Sequence, residues 1–180
     1  MQPRIPLQAV DRGLNRAESD AGLSAELASV VAGARRRAVR DGDRQIDTAH
    51  LLHTLLESDP DVRAVFEGGA QLARLLGYLV QRSIGYGLRW QGTVEDSGAL
   101  PVVAGGSWSP AAATAMDAAR ERARLRGEPQ ARGLDLLAAL AADPECRAVE
   151  VLGRAGVDAG RLLLRIESGC ERVGGGEGGC

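Results

Sequence analysis

His50 and His53 stand three residues apart, with Asp43 and Asp47 just upstream, and they are the chain's only histidines. On a helix, residues at that spacing share a face, so imidazole and carboxylate here are the raw material of a metal site or an acid–base pair. A metal site needs a third ligand with defined geometry, and no second histidine pair supplies one. The favoured reading gives both histidines structural or solvated roles, with no metal ligand and no catalytic residue assigned. No Ser, Cys or carboxylate pair has a recognisable base partner, so the chain reads as a non-enzyme that needs no cofactor. Cys146, Cys170 and Cys180 are odd in number and lack metal-ligand spacing. Cys146 falls in a helical pattern as a small apolar filler, and a disulfide framework is not expected.

Arginine is the other candidate for chemistry. All 22 basic residues are Arg. Arg35, Arg36, Arg37 and Arg40 form one cluster, and Arg120, Arg122, Arg124 and Arg126 a second on an equivalent helix. A solvated helix face is the plain reading. The sharper one is a docking surface for acidic protein segments, since the planar guanidinium pairs with carboxylates bidentately. Arg36, Arg37, Arg40 and Arg122 are its candidate contacts. Trp108 precedes a helix start, where an apolar residue packs as a staple, and a ligand contact is its alternative role. Trp90 reads as a pin for the segment that carries it.

Bulk composition narrows the partners. The chain has 180 residues, 44% hydrophobic and 26% charged, with a net charge of -2. That balance lacks the basic excess of a general nucleic-acid binder. No apolar run approaches the roughly 20 residues of a membrane span, and the N-terminus lacks a signal-peptide core, so a cytoplasmic protein is expected. Aromatics are only 3%, so the core must be built of Leu, Val and Ala, which suits close-packed helices.

The elements that position these groups come in order. Residues 1–22 form an arm. Ser24 caps a helix with Leu27, Val30, Val31, Ala34 and Ala38 on one face, and Asp41-Gly42 stops it. Asp47 and Thr48 cap the next, with Leu51, Leu52, Leu55 and Leu56 apolar. Pro60 opens a short third helix, and Leu72, Leu75, Leu76, Leu79 and Val80 mark a fourth. Residues 85–107 break the pattern with Gly and β-formers, suggesting a hairpin or an ordered loop. Ser109-Pro110 then restarts the series, which runs through Leu136, Leu137 and Leu140, then Ala148, Val151 and Leu152. Asp158 caps a last helix, before a flexible Gly-rich tail over 168–180.

Shifted by 85 positions, Ser24 falls on Ser109, Ala34 on Ala119, Ala38 on Ala123 and Gly42 on Gly127. Leu51, Leu52 and Leu55 fall on Leu136, Leu137 and Leu140, and Asp59-Pro60 on Asp143-Pro144 after a one-residue slip. Caps, stops and core positions register together, so the chain is all-α: two pseudo-symmetric four-helix repeats, 23–84 and 108–167, around an insert. The second copy keeps the leucines but replaces His50 with Asp135 and His53 with Ala138.

The duplicated unit resembles the Clp N-terminal domain, which precedes the ATPase rings of Clp-type AAA+ unfoldases. Ile46, Thr48, His50, Leu51 and Leu52 match its Ile-Gly-Thr-Glu-His-(Ile/Leu)-Leu segment. Ala155-Gly156-Val157-Asp158 matches the turn before its last helix, and Trp108-Ser109-Pro110 the Phe-Thr-Pro opening its second repeat. The resemblance covers residues 23–167. These residues hold no phosphate-cradling G-x-x-x-x-G-K-[ST] loop, so an accessory domain without its motor is expected.

The resemblance implies a protein-binding module of the Clp unfoldase/protease system: an adaptor, a substrate selector or a decoy. Some family members hold phosphorylated arginine with the Glu of the Thr-Glu-His segment, but those positions here are Ala49 and Leu134. Others bind cyclic peptides through the Phe opening each repeat. Those positions are Leu23 and Trp108, still apolar. The alternative function is therefore a module that sequesters peptide-like ligands aimed at the unfoldase.

Overall fold

The computed structural model describes residues 21–83, 95 and 108–174. The arm over 1–20, the expected hairpin apart from Glu95, Trp90, and the end of the tail lie outside the described residues. Among those described, eight α-helices and no strands are found. They are α1 (Ala25–Asp41), α2 (Thr48–Ser58), α3 (Pro60–Ala64), α4 (Gly69–Ser83), α5 (Pro110–Leu125), α6 (Gly133–Ala141), α7 (Arg147–Arg154) and α8 (Ala159–Gly174).

The caps form as the sequence expects. The Ser24 hydroxyl accepts from the Leu27 amide at 3.2 Å, and the Ser109 hydroxyl from the Ala112 amide at 3.1 Å. Each satisfies an amide that the first helical turn leaves open. Gly42 and Gly127 end the matching helices with φ of 75° and 74°. Leu27, Val30, Val31, Ala34 and Ala38 of α1 are buried, as are Ala112, Met116, Ala119 and Ala123 of α5. Residues 48–56 of α2 and almost all of α6 are buried on every side, which makes these two helices the centre of the bundle. Gly33 lets α1 lie close on α2: a Cβ there would come within 2.6 Å of the Thr54 methyl.

The two repeats clasp each other through paired exchanges of main chain. Leu23 forms an isolated parallel bridge with Ala131, and Ile46 forms one with Trp108. The Ser24 amide donates to the Ala131 carbonyl and the Ser109 amide to the Ile46 carbonyl, each at 2.9 Å. Under the internal repeat these are one contact made twice, so the opening of each repeat is stitched to the α2 or α6 approach of the other. The helices α2 and α4 also pack on α7, and α3 on α6, across the repeat boundary.

Two local expectations change. Helix α8 continues to Gly174, past position 168 where a flexible tail was expected. The Ser168 hydroxyl turns back to the Leu164 carbonyl at 2.8 Å, and the residues that follow carry the helix on. Cys146 is the N-cap of α7 rather than an interior helical position, though it is buried as expected.

Candidate functional site

A polar cluster is buried where α2 of the first repeat meets α7 of the second. Asp47 caps α2, its Oδ1 accepting from the His50 amide at 2.9 Å. In return the Asp47 amide donates to His50 Nδ1 at 3.1 Å, closing a capping box with histidine in the place Glu or Gln ordinarily takes. The other oxygen of Asp47 accepts from Arg147 of α7 at 2.8 Å and from Arg82 of α4. Three helices are thus tied through one carboxylate that is 2% exposed. Burial alone would raise the Asp47 carboxyl, but hydrogen bonds and attraction from His50, with the Arg82 cation, hold it well below the usual carboxylate range.

Glu95 is the second buried carboxylate. It accepts from the Thr48 amide at 2.9 Å, the Ser109 hydroxyl at 2.7 Å and the Arg147 amide at 2.8 Å, and also from the Thr48 hydroxyl. Thr48 and Arg147 open α2 and α7, so one anion neutralises two helix N-termini drawn from different repeats. The Thr48 hydroxyl also accepts from the Ala148 amide at 3.0 Å.

The histidines sit inside. His50 has no exposed surface and His53 has 2%. Burial pushes the His50 imidazolium down, but Asp43 and Asp47 outweigh it and hold the pKa above its ordinary value. His53 moves the other way. Burial, with Arg37, Arg40, Arg82 and His50 around it, pushes it to about 3. Glu57 Oε1 stands 3.2 Å from its Nε2, yet the other oxygen of Glu57 already pairs with Arg37, so the surrounding cations prevail. Both side chains lie inside the bundle rather than in solvent. Among the described residues, Asp41, Asp43 and His50 bring together donor atoms that could hold a metal. Burial pushes the Cys146 thiol up to about 11, and the Thr48 and Ser109 hydroxyls donate to Glu95. These hydroxyls and this thiol are therefore spent on structure.

The predicted contact residues scatter. Leu23 is 5% exposed, closed off by its bridge to Ala131. Trp108 is half-buried against the core. Arg37 pairs with Glu57, and Arg122 lies 3.8 Å from Glu167. Arg36 and Arg40 are exposed on α1, where Val39 between them is 75% exposed. Of the second cluster, Arg126 pairs with Asp135 and Arg124 with Glu121. Sequence reasoning overlooked Glu95, Asp41, Arg82, Arg147 and Asp135. Glu95 lies in a segment whose pattern pointed to a hairpin, and nothing local marks its reach to two distant helix starts.

No family model matches the chain's sequence, and no curated protein sequence matches it. Solved structures do match. A chain from preliminary structural investigations of a malarial protein secretion system superposes with a TM-score of 0.62 at 16% identity, covering 84% of this chain and 96% of that one. The N-terminal domain of the caseinolytic-protease-associated chaperone ClpD from Arabidopsis thaliana gives 0.59 at 16% identity, over 83% and 95%. The N-terminal domain of the ClpV1 ATPase from the E. coli EAEC Sci1 T6SS gives 0.52 at 22% identity, over 85% and 88%. The chain has the Clp N-terminal domain fold.

Proposed function

We propose that this chain is a non-enzymatic, cytoplasmic protein-binding module of a Clp-type unfoldase/protease system, acting as adaptor, substrate selector or decoy. The observation that carries the reading is the fold match to the N-terminal domains of the ClpD chaperone and the ClpV1 ATPase over more than four-fifths of the chain. No helix among the described residues is long and apolar enough to cross a membrane, which fits a partner met in solution.

The contact surface is the outer face of α1. Arg36, Val39 and Arg40 stand exposed there, and Arg37 is committed to Glu57. Two guanidinium groups flanking an exposed valine suit an acidic segment that carries an apolar residue. The burial of Leu23 removes one of the two apolar positions that a cyclic-peptide-sequestering role would use, so the protein-binding reading is preferred.

Titration of the chain into a purified Clp-type unfoldase, followed by calorimetry at low and high salt, tests this. Saturable binding that weakens with salt, and at least tenfold further in Arg36→Glu/Arg40→Glu, is the expected result. Absence of binding to the unfoldase and to its protease and adaptors would overturn it.

A further inference from the structure

Asp41, Asp43 and His50 turn one ligand atom each toward a common point, all within 4.8 Å of one another. His50 Nε2 lies 3.0 Å from Asp43 Oδ2 and 3.8 Å from Asp41 Oδ2. Ligands held tetrahedrally at zinc distances stand about 3.3 Å apart, and these two separations straddle that value. The imidazole is fully buried, yet its Nε2 makes no hydrogen bond, so a buried nitrogen is aimed into two carboxylates without a geometrically satisfied partner. Asp41 ends α1 and has a side chain only 6% exposed, while Asp43 at 27% opens the place to solvent.

The other face of the imidazole completes the arrangement. Asp47 Oδ1 lies 2.8 Å from Nδ1, so an ion at Nε2 would shift the ring proton to Nδ1, where this carboxylate takes it in place of the Asp47 amide contact. A carboxylate behind the histidine is the common support of a metal-bound imidazole, fixing its tautomer and raising its basicity. The Ser83 hydroxyl donates to Asp41 Oδ2 at 2.9 Å and steadies the second carboxylate. Arg82 reaches Asp43 Oδ2 at 3.2 Å but also pairs with Asp47 Oδ2, so an arriving cation leaves the guanidinium with a carboxylate of its own.

The second repeat shows what this place requires. There Arg126 stands in the position of Asp41 and Asp135 in that of His50, and the Arg126 guanidinium donates to Asp135 Oδ2 at 2.8 Å. That repeat carries a cation at this point within its own sequence. The first repeat puts two carboxylates and an imidazole nitrogen there, with the Arg82 guanidinium beside them.

We propose that Asp41, Asp43 and His50 form a binding site for a first-row divalent cation of the zinc class. An imidazole with two carboxylates suits Zn²⁺ or Co²⁺, whereas Mg²⁺ and Ca²⁺ prefer oxygen ligands throughout. The three protein ligands leave a further position for water.

The test uses the full chain with Cys170→Ser and Cys180→Ser, so that thiolates do not compete for the ion. Calorimetry with Zn²⁺ is expected to show one equivalent bound, with a rise in melting temperature that equal Mg²⁺ does not give. Co²⁺ should bring visible absorption without a thiolate charge-transfer band. Asp41→Asn and Asp43→Asn should each weaken Zn²⁺ at least tenfold, while melting without metal stays cooperative. A direct readout covers the case where a variant fails to fold: imidazole ¹⁵N spectra of the parent chain should show the His50 Nε2 resonance shift on adding Zn²⁺. No saturable binding, an unmoved His50 resonance, or parental affinity in either folded variant overturns the proposal.

Discussion

His50 and Asp135 hold the same position in the two repeats and make the same capping contact with opposite chemistry. His50 Nδ1 accepts from the Asp47 amide at 3.1 Å, and Asp135 Oδ2 accepts from the Arg132 amide at 2.9 Å. Each then faces the residue that closes the preceding helix, Asp41 for His50 and Arg126 for Asp135. The duplication preserved the backbone contact and inverted the charge around it. Asp135→Ala leaves the Arg132 amide and the Arg126 guanidinium without this acceptor. A loss of about 1–3 kcal/mol is expected from denaturant midpoints. Arg126→Ala should cost less, because its side chain is 31% exposed and the pair is screened.

Glu95 ties the repeats at their centre. Its carboxylate collects donors from Thr48, Ser109 and Arg147, so removing it strands amides at two buried helix starts. Glu95→Ala is expected to lower stability by about 3 kcal/mol, with Glu95→Gln intermediate because the amide oxygen keeps part of the set. Urea unfolding of both variants checks the order, and equal stability of Glu95→Ala and the parent would remove this role.

How much of this was legible follows from where the information lies. Ser24 and Ser109, Gly42 and Gly127, and the Ala and Leu stripes are local signals, and local signals repeated at a fixed offset gave the eight helices and their two-fold order. Glu95 has no such signal. Its importance arises only when the α2 and α7 N-termini come together from opposite repeats, and sequence periodicity does not encode that meeting. The arginines show the same limit. Arg37 and Arg126 look like members of exposed clusters, yet their partners Glu57 and Asp135 lie on the next helix, one packed turn away in space. Asp41 was passed over because it reads as part of a helix stop, and its side chain turns inward toward His50.

Acid should loosen the bundle through His53. Its folded pKa of about 3 lies below the ordinary 6.5, so between those values the unfolded chain binds the extra proton. The stabilisation is present above pH 6.5 and is lost as pH falls through that window toward 3. His50 has a raised pKa and works in the opposite sense, gaining stability below its unfolded value and losing it as pH rises through the folded one. The comparison must therefore isolate His53. From pH 7.5 to 5 the parent should lose about 2 kcal/mol more than His53→Gln, at about 1.4 kcal/mol per pH unit below the unfolded pKa. Denaturant midpoints at the two pH values give the difference, and parallel losses in both proteins would count against a neutral buried His53.

Close approach of α1 and α2 depends on Gly33. A Cβ at that position meets the Thr54 Cγ2 at 2.6 Å, a contact that forces either the helices or the Thr54 rotamer to move. Thr54 is itself held, its hydroxyl donating to the His50 carbonyl at 3.0 Å, so a rotamer change gives up that bond. Helix propensity favours alanine over glycine by about 1 kcal/mol, which sets a propensity gain against a packing cost of about 1–3 kcal/mol. The packing term is expected to win, because both helices are capped at fixed points and α2 is buried on all sides. Gly33→Ala should therefore lower the melting temperature, and Gly33→Ala/Thr54→Ser, which deletes the clashing methyl and keeps the hydroxyl, should recover most of the loss. A double variant no more stable than Gly33→Ala alone would show that the contact with Thr54 does not set the spacing.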